Sequence, residues 1–79
     1  MNIADRICSL APEYRSEDGE FMKTAFENAV DAVGGVEIWN SNEGERTISF
    51  APTRHFLLPD GSKVEVGYSG AWVLTPSKA

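Results

Sequence analysis

The chain has a single histidine, His55, and a nucleophile would have to come within hydrogen-bond reach of that one base to be activated. Ser9, Ser49 and Cys8 are the hydroxyl and thiol candidates, but no nucleophile elbow, oxyanion-type glycine loop or orienting partner surrounds any of them. His55 therefore reads as a strand residue, half exposed or hydrogen-bonded, and Cys8 as a small buried hydrophobe on a helix. One cysteine and one histidine cannot complete a four-ligand zinc centre. Asn40, Asn42 and Gly44 alternate like calcium-loop ligands, yet the first Asp, the glycine offset and the bidentate glutamate are missing. Gly34 and Gly35 follow a helix and precede a strand, the reverse of the order that cradles phosphates. The expectation is no catalytic residue, no metal and no cofactor.

Two other patterns can carry binding. Glu17, Glu20, Glu27 and Asp31 fall within about 80° of one another on a helical wheel, opposite an apolar side. On one helix they would span ~21 Å at ~1.5 Å per residue, a row of negative charge suited to a basic protein groove; the plainer reading is a solvated helix face. The second pattern is aromatic. Trp39, Phe50, Phe56, Tyr68 and Trp72 all lie in strand-like segments, and helices on one side of a sheet cannot cover side chains that point to both sides. Trp39, beside Glu37, and Arg54 with Phe56 are the expected contacts there, since tryptophan and arginine dominate interface hot spots. The plainer readings are ordinary core and a homodimer seam.

The elements that must position these residues follow from period and punctuation. Asn2 can cap a helix with Asp5 at its third position and Ile3, Ile7 and Leu10 on one face, ended by Pro12. Ser16 or Asp18 can cap a second helix carrying Met22, Ala25, Phe26, Ala29, Val30 and Val33 on one side, with Phe26 at its centre and buried. Gly34 and Gly35 stop it. The period then changes to that of strands: Val36 to Trp39, Arg46 to Phe50, Phe56 to Leu58, Lys63 to Tyr68 and Ala71 to Leu74, with a polar loop from Asn40 to Gly44 and a hairpin turn at Pro59, Asp60, Gly61 and Ser62. In the first of these strands, Val36 and Ile38 share one face, and Glu37 and Trp39 the other. The expected fold is α+β: two N-terminal helices packed on one face of a four- or five-stranded antiparallel meander, as one domain over residues 1–79.

Length and charge bound the function. Seventy-nine residues with 42% apolar content suffice for one core and scarcely enclose a ligand site of ~300 Å³ or more, which ranks a hydrolase or transferase built on His55 last. A lone cysteine and the early charges Asp5 and Arg6 point to a cytoplasmic chain with no membrane span. Residues 1–45 hold ten carboxylates against Arg6, Arg15 and Lys23, a net of −7. Arg46, Arg54, Lys63 and Lys78 against Asp60 and Glu65 leave the remainder at +2. The acidic half repels phosphates and attracts basic protein surfaces, so direct nucleic acid binding is disfavoured.

In size and charge the chain resembles the small acidic inhibitors that phages carry against bacterial defence, the anti-CRISPR type among them. The resemblance carries no motif and no residue. It implies a non-enzymatic protein that binds a nucleic-acid-handling complex, such as a CRISPR effector subunit, and blocks its nucleic acid groove or its recruitment of a nuclease. The alternative is a small accessory or regulatory subunit, or a homodimeric module, of a larger bacterial complex.

Overall fold

The computed structural model describes residues 2–43, 51–68 and 71–77. Its elements are α1 (Ile3–Ser9), a 3-10 turn (Ala11–Tyr14), α2 (Lys23–Ala32), β1 (Val36–Asn40), β2 (Arg54–Leu57), β3 (Lys63–Tyr68) and β4 (Trp72–Ser77). The four strands form one antiparallel sheet in the order β1-β2-β3-β4, a meander. The chain is thus α+β, with its helices before Gly34 and its sheet after. No helix among the described residues is long and apolar enough to cross a membrane.

α1 has seven residues, too few to hold a helix alone in water. Its first free N–H groups are each met by a side chain. Asn2 Oδ1 accepts from Asp5 N at 2.8 Å, as the sequence predicts. The other two acceptors come from the distant hairpin turn: Asp60 Oδ2 accepts from Ile3 N at 2.8 Å and Ser62 Oγ from Ala4 N at 3.1 Å. Asp60 also accepts from the Ser62 hydroxyl. These donors hold the Asp60 carboxyl below its ordinary range, the Ile3 N–H contributing most. The turn itself matches its sequence signature. Gly61 N donates to the Leu58 carbonyl at 2.9 Å, and Gly61 takes φ +85°, the left-handed residue that closes a three-residue hairpin loop.

α2 begins later than its acidic residues suggest, so the carboxylate stripe is not a feature of one helix. Ser16 to Gly19 form a tight turn instead. Gly19 N donates to the Ser16 carbonyl, Gly19 has φ +82°, and Arg15 bridges Phe21 across the turn. Serine first and glycine fourth favour that turn, and a glycine would weaken a helix running through it. Glu17 and Glu20 therefore sit on the turn, and Met22, expected on the apolar face, is the exposed cap residue. The other end is as predicted. Gly34 N donates to the Asp31 carbonyl and Gly35 N to the Val30 carbonyl, with Gly34 at φ +82°, which is a Schellman closure. A Cβ on Gly35 would lie 2.6 Å from Val30 Cγ1 and 2.7 Å from Leu58 Cδ2, so only glycine lets the chain pass between α2 and the sheet.

The core is a single cluster that includes Ala4, Ile7, Tyr14, Phe26, Val30, Phe56, Leu58, Val64 and Val66. Phe26, 1% exposed, is at its centre as expected, with edge-to-face contacts to Tyr14 (5.6 Å) and Phe56 (5.2 Å). Leu10 and Val33, both read onto apolar helix faces, are exposed. Pro12 lies in the 3-10 turn after α1 has already ended at Ser9. The strand expected over Arg46 to Phe50 lies outside the described residues, which hold four strands. β4 runs through Pro76 to Ser77, past the polar tail expected to begin there, because Pro76 sits on an edge strand where its missing N–H is tolerated.

Candidate functional site

Arg54, at the start of β2, organises the acidic side of the molecule. Its Nε donates to Glu37 Oε2 at 2.7 Å and its Nη2 to Glu37 Oε1 at 3.2 Å, a forked pair with the adjacent strand. The same Nη2 donates to Glu27 Oε2 of α2 at 3.1 Å, which ties helix to sheet. The guanidinium carbon lies 4.9 Å from the centre of the Phe56 ring. The Arg54 hydrogen bond holds the Glu37 carboxyl below the usual glutamate range, and the reciprocal bond pushes the arginine up.

Beside this pair is an open cleft of about 340 Å³ between α2, β1 and β2. Glu27, Asp31, Glu37 and Arg54 line its walls, and Val30, Gly35, Val36 and Phe56 its apolar part. Three carboxylates face one guanidinium, and Arg54 is bonded to only two of them. Asp31 forms no ion pair or side-chain hydrogen bond among the described residues. The cleft can take a cationic group with an aliphatic stem, the charge near Asp31 and Glu27 and the stem on the apolar wall.

The expected contact residues are thus redistributed. Glu27, Asp31, Arg54 and Phe56 come together in one cleft, while Glu17 and Glu20 stay apart on their turn. Phe56 is 4% exposed, a wall of the core rather than an exposed aromatic, because its ring packs on Phe26 and under Arg54. Trp39 is exposed, as expected, but not on the side of Glu37. The register shifts between Glu37 and Trp39, so Glu37 lies opposite Phe56 and Trp39 opposite His55, on the other side of the sheet. Simple alternation along β1 therefore fails at Ile38. Glu37 is the site residue that sequence reasoning missed, and the bulge that turns it toward Arg54 has no glycine to announce it.

On the opposite side, Trp39 meets the His55 ring edge-to-face at 5.0 Å, and His55 Nε2 lies 3.0 Å from Glu65 Oε1. Cys8 is elsewhere, half-buried against the core, and burial with the nearby Asp5 charge pushes its thiol up, away from the reactive thiolate. Ser49 lies outside the described residues. No group of three or more His, Cys, Asp or Glu side chains among the described residues is placed to hold a metal ion. No protein-family model, curated protein or solved structure gives a significant match to the chain.

Proposed function

We propose that this chain is a small, acidic, non-enzymatic protein-binding module that captures a basic side chain of its partner in the cleft between α2, β1 and β2. The observation that carries this reading is the charge imbalance of that cleft among the described residues: Glu27, Asp31 and Glu37 line it with the one cation Arg54, beside an apolar wall. Arg54 neutralises part of the charge and fixes two carboxylates in place, so little side-chain freedom is lost when a lysine or arginine enters. The net charge of −5 adds long-range attraction to a basic surface. Both helices lie on the Phe56, Val64 and Val66 side of the sheet in this reading, which keeps the cleft at the rim of the helical layer, open to a partner.

The partner class is a nucleic-acid-handling protein, such as a CRISPR effector subunit, whose basic groove the module occupies in place of phosphate. The test is target-DNA binding by purified effector complexes with increasing amounts of the chain. Loss of DNA binding, restored by Asp31→Lys, is the expected result. An unchanged DNA affinity in every effector tested overturns the inhibitor reading and leaves an accessory subunit, for which the same cleft would dock a basic segment of a larger enzyme.

A further inference from the structure

We propose that the sheet side opposite the core, carrying Trp39, His55 and Val73, is an isologous interface between two copies of this chain. By register, Trp39, His55, Leu57, Lys63, Glu65 and Val73 share that side. Val73 is 50% exposed and Trp39 44%, two large apolar groups set on the outer strands β4 and β1. The molecule measures 37 × 32 × 19 Å, and its thin dimension holds only one helical and one sheet layer. Four strands at ~4.8 Å spacing and six residues at ~3.3 Å rise give a footprint of ~19 by 20 Å, or ~380 Å², which suits a small, weak interface rather than the ~800 Å² per partner of a standard one.

Charge selects a second copy as the occupant. A chain of net charge −5 repels itself through most of its surface, yet among the described residues the strands present one lysine, Lys63, and one glutamate, Glu65, on this side. They stand two residues apart on β3, both exposed. A two-fold axis passing between them sets each lysine opposite the other copy's glutamate, so the patch is complementary to itself. The cleft at Arg54 opens on the other side, and the dimer therefore presents two clefts.

Sedimentation equilibrium of the full chain, from low micromolar to near-millimolar concentration, tests this, with the fluorescence of a Trp72→Phe variant as the local probe of Trp39. The expected result is a monomer–dimer equilibrium in which tryptophan emission moves to shorter wavelength on association. Lys63→Glu and Glu65→Lys each weaken it at least ~tenfold, while an equimolar mixture of the two variants associates more tightly than either alone. Both positions are exposed, so far-UV circular dichroism of each variant should match the parent. A chain that stays monomeric throughout overturns the proposal, as does a dimer that neither substitution weakens.

Discussion

The two helices of this domain are anchored in opposite ways. α1 is held at its N-terminus, by side chains that cap its free N–H groups, two of them from a hairpin turn more than fifty residues away. α2 has no side-chain cap at its start and is held at its far end, by the glycine closure that seats Gly35 against Val30 and Leu58. A polar joint depends on the placement of a few hydrogen-bond acceptors, whereas a packed joint depends on shape. Phe26 adds to the second kind, and the Arg54 bridge to Glu27 gives α2 a polar tie of its own.

The contrast can be broken at either joint. The largest effect should come from Phe26→Ala, which removes the centre of the core and should cost ~3–5 kcal/mol in urea unfolding, enough to unfold so small a domain at physiological temperature. Gly35→Ala should follow at ~1–3 kcal/mol, since both side chains facing the new methyl lie under 3 Å from it and the Val30 carbonyl is only 3.2 Å away. A loss of stability below ~0.5 kcal/mol would mean that the joint yields and is not set by shape.

At the polar joint, Ser62→Ala leaves the buried Ala4 N–H without its partner and should cost ~1–2 kcal/mol; hydrogen exchange should rise first in α1 and leave α2 protected. Asn2→Ala should cost ~1 kcal/mol with the same signature. The smallest effect concerns acid. Glu37 has a lowered pKa in the fold, so its contribution is present above its unfolded value near 4.5 and is lost as pH falls through the lower folded value. Glu37→Gln should flatten stability against pH in that acid window and leave the region above pH 6 parallel to the parent, as read by thermal melts across the range.

How much of this was legible follows the same division. Asn2, Gly34 and Gly61 act within a few residues of themselves, and each is read correctly from its neighbours. The apolar spacing around Phe26 likewise finds the core face of α2. Ser16 fails because the same residue can cap a helix or open a turn, and Gly19 three positions on decides for the turn. The Asp60 and Ser62 caps are invisible in sequence, since nothing in a hairpin turn says which helix it will meet. The site was half legible: Glu27 and Asp31 share a helix face at a spacing of four, but their convergence with Arg54 and Glu37 depends on strand register and on a bulge that no residue type marks.

The long-range cap also constrains the order in which the chain can acquire structure during synthesis. α1 leaves the ribosome more than fifty residues ahead of the turn that caps it, and it is too short to persist until Asp60 and Ser62 have followed it. α1 therefore waits for the β2 to β3 hairpin, and folding begins from local pieces such as that hairpin and the glycine-closed end of α2. A nascent chain arrested before residue 60 would be held with Ile3 and Ile7 uncovered, open to chaperones and proteases, until Asp60 and Ser62 emerge to cap α1.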